Sequence, residues 1–172
     1  MIKLRDIHDS VIKNPIPPYK IYCDMDGVLC DFEKRFEDLT GESPKSFKGT
    51  HGINEFWKVI DNDGVKFWRG MPWMPDGQIL YNYIKKYNPT LLSSPSWDES
   101  SKIGKRLWVK KHTPGTKLIL VPRMYKQDYS LKKRILIDDL EVTIEEWNAK
   151  GGIGILHTSA SSTIGELKKL GL

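Results

Sequence analysis

The sequence predicts an α/β protein in which a parallel sheet carries helices on both faces and a small helical cap follows the first strand. Short apolar runs of four to six residues recur along the chain, without the polar alternation of half-exposed strands. Segments with helical spacing of apolar residues separate these runs. Alternating strands and helices are typical of a parallel sheet, which binds ligands beyond the carboxyl ends of its strands.

Five strands and four later helices are predicted from these two patterns. The strands are KIYC at 20–23, PTLLSS at 89–94, KLILV at 117–121, RILI at 134–137 and GIGIL at 152–156. The helices cover 77–87, 98–112, 141–150 and 163–170. Apolar stripes are expected on the first two of them, formed by Ile79, Leu80, Tyr83 and Ile84, and by Ile103, Leu107 and Trp108. Asp98 is the candidate N-cap of the second helix.

Residues 32–75 lie between the first two strands and are too long for a simple crossover. We interpret them as a small, mostly helical cap. The core domain then comprises residues 20–31 and 76–172, and residues 1–19 form an extension that ends in the turn NPIPP. The aromatic residues of the cap are Phe32, Phe36, Phe47, Phe56, Trp57, Phe67, Trp68 and Trp73.

Composition indicates a globular protein with one core and a small insertion. Of its 172 residues, 39% are hydrophobic and 28% are charged. No apolar run is long enough to cross a bilayer, and the first residues lack the apolar stretch of a signal peptide. We therefore expect a cytoplasmic protein without a membrane partner.

The net charge and the number of cysteines exclude only a few classes of protein. The net charge of +5 suits anionic ligands, but a solvated surface with extra lysines explains it better. Cys23 and Cys30 are the only cysteines, which excludes a disulfide framework and a four-cysteine zinc site. Cys23 is expected to pack as a small hydrophobe inside the first strand.

Acidic residues follow two of the predicted strands. Asp24 ends the first strand, and Asp26 faces the same side of extended chain two residues later, before the turn permitted by Gly27. The fourth strand ends in Asp138 and Asp139. Parallel strands bring these ends together, where several carboxylates stay ionised only if a cation joins them. All-oxygen ligands predict a hard ion, and Mg²⁺ is the expected one.

Each acid also has a purely structural explanation. An aspartate after a strand is often a turn residue or a helix N-cap. Alone, Asp31 is better explained as a cap than as a ligand, and Asp139 could cap the helix that follows it. A functional site is favoured because two strands of one sheet each end in an acid pair.

Four segments in order resemble a known superfamily. DMDGVLCDF resembles the first motif of the haloacid dehalogenase (HAD) superfamily, SSP supplies the hydroxyl residue of its second motif, and a lysine and the acid pair of LIDD follow. With EFW at 55–57 and KFWRGMPWMPDG at 66–77, residues 20–140 resemble the 5′(3′)-deoxyribonucleotidase family. The resemblance implies a Rossmann-like, HAD-like core and phosphatase activity.

The same resemblance implies roles for the strand-end acids. Asp24 would attack phosphorus and form an aspartyl-phosphate intermediate. Asp26 would protonate the leaving oxygen and later take a proton from water, and its backbone carbonyl would bind the metal. Asp138 and Asp139 would hold Mg²⁺ directly or through water.

Serines and lysines of this chain fall on phosphate-contacting positions of the family. Ser93 stands where these nucleotidases more often have threonine, and Ser94 could add a second contact; a turn residue before Pro95 is the alternative for Ser93. Lys105 matches a phosphate-contacting lysine by its spacing from Trp108, although a solvated surface lysine is an alternative. Where the family has its third-motif lysine this chain has Asp128, so the nearby lysines are candidates. They are Lys126, Lys132 and Lys133, of which we favour Lys126.

Four cap aromatics fall on positions that surround the nucleobase in the family, namely Phe32, Phe56, Trp57 and Trp68. Stacking on a base contributes about 1–3 kcal/mol per base in single-strand recognition. The alternative is that these rings form only the core of the cap. The implied substrate is a deoxyribonucleoside monophosphate such as dUMP or dTMP, with Trp57 and Phe32 as the leading contacts and the cap closing over the site.

Other functions stay open on sequence alone. The chain could be a HAD phosphatase for a polynucleotide 3′-phosphate or a small phosphometabolite, or a non-catalytic nucleotide-binding module. A cap of this size favours a small molecule over nucleic acid. The sequence allows a homodimer but contains no feature that requires one.

Overall fold

The computed structural model describes residues 19–172 and contains a five-stranded parallel sheet with the strand order β3-β2-β1-β4-β5. The predicted N-terminal extension lies outside these residues, except for Tyr19. All five predicted strands are confirmed within one or two residues. They are β1 (Lys20–Cys23), β2 (Thr90–Ser93), β3 (Lys117–Leu120), β4 (Arg134–Asp138) and β5 (Ile153–Leu156).

The sheet separates two apolar cores. On one face, Ile21 and Cys23 of β1 join the larger core, and on the other face Tyr22 of β1 packs with Trp147 at a ring distance of 5.4 Å. This alternation follows from the two-residue period of a strand, and it buries β1 on both sides. Strand β1 is therefore the central strand, with β2 and β4 as its two neighbours.

Seven α-helices complete the described part of the chain. They are α1 (Phe32–Thr40), α2 (Pro44–Asp63), α3 (Val65–Arg69), α4 (Gly77–Ile84), α5 (Glu99–His112), α6 (Glu141–Ala149) and α7 (Ala160–Lys169). The predicted start of the last helix at residue 163 is too late. Ser159 caps α7 by accepting from the backbone N–H of Ser162, and Asp76 accepts from the N–H of Ala160 at 2.5 Å.

The predicted apolar stripes are only partly correct. In α4, Leu80 and Ile84 are buried but Ile79 is 60% exposed. In α5, Trp108 is buried whereas Ile103 and Leu107 are exposed. The inward face of α5 is rotated from the apolar stripe because it carries small and charged residues at helical spacing. These buried residues are Ser101, Gly104, Lys105, Trp108 and Val109.

Helices α1, α2 and α3 account for most of residues 32–75, in agreement with the predicted helical content of that segment. The segment is attached closely to the core at α5. A Cβ atom on Gly104 would lie 2.4 Å from the Cβ of Trp68, so α3 and α5 approach to backbone distance. The indole N–H of Trp108 donates to the carbonyl of Met71 at 2.8 Å. That these helices act as a cap stays a prediction.

Within residues 19–172, no helix combines the length and the apolar character that crossing a bilayer requires.

Candidate active site

The carboxyl ends of β1 and β4 bring the predicted acids together. Cys23 pairs in register with Ile137, and the backbone N–H of Asp24 donates to the Ile137 carbonyl at 2.8 Å. Asp24 and Asp138 therefore leave adjacent strands at the same height. Ligand oxygens of Asp24, Asp138 and Asp139 lie within 4.8 Å of one another.

The turn after β1 brings Asp139 against the backbone of Gly27. Gly27 has φ +74°, and a Cβ atom there would lie 2.3 Å from Oδ2 of Asp139. Asp31 caps α1 by accepting from the N–H of Lys34 at 2.8 Å, which confirms its structural explanation. Asp139 caps no helix, because the side chain nearest the start of α6 is that of Asp138, which accepts from the N–H of Leu140 at 3.0 Å.

Two members of the acid cluster, Asp138 and Asp139, have raised pKa values. Burial and the neighbouring Asp24 raise the pKa of Asp138, and the same two causes, with Asp138, raise the pKa of Asp139 to about 6. One oxygen of the cluster, Oδ1 of Asp24, is buried and has no hydrogen-bond partner among the described residues. This donor set fits a divalent cation, which would relieve the repulsion between the carboxylates.

Lys126 is the lysine that joins the acid cluster. It lies on the 3₁₀ segment Arg123–Tyr129, and its ammonium contacts Oδ2 of Asp24 at 2.9 Å and Oδ2 of Asp138 at 2.8 Å. Burial lowers the pKa of Lys126, but the two carboxylates raise it by a larger amount. The net effect is a raised pKa, so the ammonium group stays charged. The other two candidates, Lys132 and Lys133, are exposed.

Lys105 forms a second polar centre beside the first. It is fully buried, which rules out the alternative of a solvated surface lysine. Its ammonium donates to Oδ2 of Asp26 at 2.6 Å, to Oγ of Ser93 at 2.9 Å and to the carbonyl of Ser94 at 2.7 Å. These bonds use all three of its protons. Because Ser93 accepts from Lys105, its own hydroxyl proton is available to a ligand.

Asp26 belongs to the Lys105 centre and not, by its side chain, to the acid cluster. Its Oδ1 accepts from the thiol of Cys30 at 3.4 Å. Burial, followed by the charge of Asp26, raises the pKa of Cys30, so the thiol is protonated and can donate. No feature of the sequence predicts this contact, because a cysteine in an apolar loop is usually a small hydrophobe. A metal contact of Asp26 would need its backbone carbonyl.

The four predicted base-contacting aromatics lie together but are not equally accessible. Phe32 packs between Phe56 and Trp68, with ring distances of 6.2 and 5.8 Å. Phe56 and Trp68 are buried, whereas Trp57, 5.1 Å from Phe56, is 38% exposed. Most of this cluster is therefore internal packing, and Trp57 is the member with the largest free face.

Trp68 connects the aromatic cluster with the polar centre. The Lys105 ammonium lies 5.4 Å from the centre of the Trp68 ring, within cation–π range. The indole N–H of Trp68 and the hydroxyl of Ser94 are buried, and neither has a partner within residues 19–172. Both are polar atoms that a ligand could satisfy.

The comparisons with known proteins show the fold. No protein-family model and no curated protein matches the chain. Among solved structures, a hydrolase from Streptococcus pneumoniae TIGR4 has a TM-score of 0.55 at 15% identity, covering 88% of this chain and 99% of its own. A haloacid dehalogenase-like family hydrolase from Xanthomonas campestris has a TM-score of 0.57 at 11% identity, covering 88% of this chain and 91% of its own.

A third similar structure is a HAD family hydrolase from Deinococcus radiodurans R1 with bound phosphate and sodium. Its TM-score is 0.51 at 12% identity, covering 90% of this chain and 97% of its own. The chain therefore has the HAD-like Rossmann-type fold that the sequence predicts. At these identities the likeness shows the fold alone.

Proposed function

We propose that the protein is a Mg²⁺-dependent phosphomonoester hydrolase that works through an aspartyl-phosphate on Asp24. One observation carries this proposal. Asp24 lies at the end of the central strand with Oδ2 bound by Lys126, while its buried Oδ1 has no partner among the described residues. An oriented carboxylate with one unengaged oxygen is what attack on phosphorus requires.

The residues around Asp24 divide the remaining tasks of phosphoryl transfer. Mg²⁺, held by Asp24, Asp138, Asp139 and the backbone carbonyl of Asp26, would neutralise part of the phosphoryl charge. Lys126 orients Asp24 through its contact at 2.9 Å. The hydroxyls of Ser93 and Ser94 would donate to phosphoryl oxygens, since neither proton is committed to the protein.

Asp26 is the proposed general acid and base. Attack by Asp24 forms the new O–P bond as the bond to the leaving oxygen breaks. Asp26, which acts in this step in its protonated form, gives that oxygen its proton and becomes a carboxylate. Asp26 then takes a proton from the water that cleaves the aspartyl-phosphate and releases inorganic phosphate. Lys105 orients Asp26 through the 2.6 Å contact and turns Ser93 towards the phosphate. For Lys105 to bind phosphate itself, it would have to release one of its three acceptors.

A deoxyribonucleoside monophosphate such as dUMP or dTMP is the proposed substrate. The support is the aromatic cluster beside Lys105, in which Trp57 keeps a free face and the Trp68 N–H lacks a partner among the described residues. Aromatic faces stack on nucleobases at about 1–3 kcal/mol per base. Phe32 is half-buried between its neighbours, so part of its ring is already covered by protein.

A phosphorylated polynucleotide end is the second candidate substrate, and one observation favours it. Trp97 lies three residues after Ser94 and is fully exposed. Three residues of extended chain span at most about 11 Å, so the backbone of Trp97 lies within that distance of Ser94. An exposed indole at this position could stack on a base next to the terminal nucleotide.

A substrate panel with and without Mg²⁺ tests these proposals. It would compare dUMP, dTMP, UMP, a 3′-phosphorylated oligonucleotide, a sugar phosphate and a simple aryl phosphate, each with the wild type and with Asp24→Asn. We expect Mg²⁺-dependent release of phosphate that disappears in the variant, with the deoxynucleotides preferred. No release from any substrate would reject a phosphatase, and preference for the oligonucleotide would replace the mononucleotide proposal.

A further inference from the structure

The carboxylate of Asp26 is bound from two sides by different elements. Lys105 of α5 donates to Oδ2 at 2.6 Å, and the thiol of Cys30 donates to Oδ1 at 3.4 Å. The second distance is normal for a donor sulfur, whose larger radius lengthens the bond. A carboxylate with only one of these bonds could still rotate about its Cβ–Cγ bond, whereas two bonds fix the plane of the group.

Cys30 is itself held rigidly by its backbone. Its N–H donates to the carbonyl of Met25 at 2.9 Å, and its carbonyl accepts from the N–H of Gly27 at 3.0 Å. Its backbone also pairs with Trp73 in an isolated bridge. The side chain is fully buried, so no water competes for the thiol proton. The sulfur therefore keeps one position relative to Asp26.

We infer that Cys30 is a positioning residue whose thiol, together with Lys105, fixes the plane of the Asp26 side chain. In its protonated form this group gives a proton to the leaving oxygen, and as a carboxylate it then accepts one from water. The inference rests on the proposed function, because only in that reaction does Asp26 transfer a proton. Cys30 would not touch the substrate. The competing explanation is that Cys30 only fills space in the core, as buried cysteines often do.

The chain provides a matched control in its other cysteine. Cys23 is also fully buried, but its thiol contacts the backbone carbonyl of Asp24 at 3.3 Å and not a carboxylate. Removal of the Cys23 sulfur therefore reproduces the loss of buried volume without the loss of a bond to a reacting side chain.

Kinetics on dUMP with saturating Mg²⁺ test the positioning role, because its leaving alkoxide needs a proton whereas a phenolate does not. Cys30→Ala should lower kcat about 10-fold with little change in KM, the effect of losing one hydrogen bond that orients the acid. Cys30→Ser should recover most of the rate, because a hydroxyl also donates, and Cys23→Ala should change kcat less than about two-fold. Equal effects of the alanine and serine variants at position 30, or none, would overturn the inference in favour of packing.

The infrared S–H stretching band tests the hydrogen bond without reference to activity. In Cys23→Ser, the only thiol is that of Cys30. Adding Asp26→Asn should shift its band towards that of a free thiol, because the amide oxygen will face Lys105 and the NH₂ group will face the sulfur. In Cys30→Ala, the band of Cys23 should not respond to the same change.

The two readouts separate failure of the inference from failure of the proposed function. If the S–H band of Cys30 does not shift in Asp26→Asn, the inference is overturned even if the enzyme is active. A wild type that hydrolyses no phosphomonoester overturns the proposed function and the kinetic role of Cys30 with it. The positioning role is established if the S–H band of Cys30 shifts with Asp26→Asn, the kcat of Cys30→Ala is reduced and the kcat of Cys30→Ser is close to that of the wild type.

Discussion

The side chains of the strand-end site and those of the aromatic cluster in the helical segment differ in whether they find all their partners within the protein. At the strand ends, Lys126 and Lys105 pair with carboxylates, yet Oδ1 of Asp24 has no partner among the described residues. In the aromatic cluster, the rings pack on one another at 5.1–6.2 Å, and only Trp57 keeps a large free face. The first region is incomplete without a ligand, whereas the second is largely complete by itself.

This difference indicates how function and stability are divided between the two regions. Charged groups gathered at the end of a sheet cost free energy unless a ligand compensates them, so their presence favours a reaction site. Buried rings stabilise the fold whether or not a base binds. Substitutions at the strand ends should therefore affect turnover, and most substitutions in the aromatic cluster should affect stability.

Asp24→Asn should give the largest effect on turnover of all the substitutions considered. The amide has nearly the same shape but cannot act as a nucleophile, so hydrolysis of an aryl phosphate should fall by about 10³-fold or more. Thermal unfolding should change little by comparison. Asp38→Asn, an exposed acid of α1, is the control and should retain full activity. Substantial turnover by Asp24→Asn would mean that another group attacks phosphorus.

Gly27→Ala should give the next largest effect, because the new methyl group would displace Asp139. Gly41→Ala is a matched control, since Gly41 has a similar φ of +78° but nothing within 4 Å of its Cβ position. Both variants carry the same backbone strain, of order 1 kcal/mol. Only Gly27→Ala should also weaken Mg²⁺ binding and lower kcat, by about 10²-fold. Equal behaviour of the two variants would show that Asp139 takes no part in the site.

The sequence predicted the acid cluster well because its geometry follows from the backbone. Once two strands are parallel neighbours, the residues that follow them must lie close together. The proximity of Asp24 and Asp138 could therefore be predicted without knowing where any side chain points. The burial of Lys105 could not be predicted from periodicity, since the apolar stripe of α5 indicates a different face. The resemblance singled out Lys105, which physical spacing alone did not, and its contact with phosphate stays a prediction.

The remaining contacts depend on tertiary packing that no local pattern encodes. The thiol of Cys30 meets Asp26 because of a turn, and the ring of Trp68 reaches Lys105 because Gly104 lets α3 approach α5. A motif can indicate that an aromatic residue is present at a position. It cannot indicate whether neighbouring rings will cover that residue, as they cover Phe56 and Trp68 but not Trp57.

Phe56→Ala and Trp57→Ala should separate packing from binding within the aromatic cluster. Phe56 is buried, so its truncation should lower the free energy of unfolding by about 3–5 kcal/mol, measured in urea. Trp57→Ala should cost less stability but lower kcat/KM for dUMP about 10-fold relative to an aryl phosphate. If Trp57→Ala reduced both substrates equally, its ring would serve packing alone, and the cluster would contain no base contact at this position.

The pH dependence of stability should give the smallest effect and the finest test of the acid cluster. The pKa of Asp139 is about 6 in the fold against an ordinary value of 3.8, so the folded state holds its proton more tightly. Without Mg²⁺, this group therefore lowers stability progressively as the pH rises from about 4 to about 6. Neighbouring groups partly desolvate the carboxyl group, but the residue as a whole is exposed to solvent, which screens its charge. The change in Tm should therefore be modest, on the order of 2 °C.

Comparison with Asp139→Asn isolates this contribution, because the amide has no proton to lose. In EDTA, the variant should become more stable than the wild type by a margin that grows up to about pH 6 and then stays constant. Added Mg²⁺ should reverse the order above pH 6, since it binds the ionised wild-type cluster and stabilises the folded state by mass action. If Mg²⁺ left the difference unchanged, the strand-end carboxylates would not form a cation site, and the two regions would no longer differ in their need for a ligand.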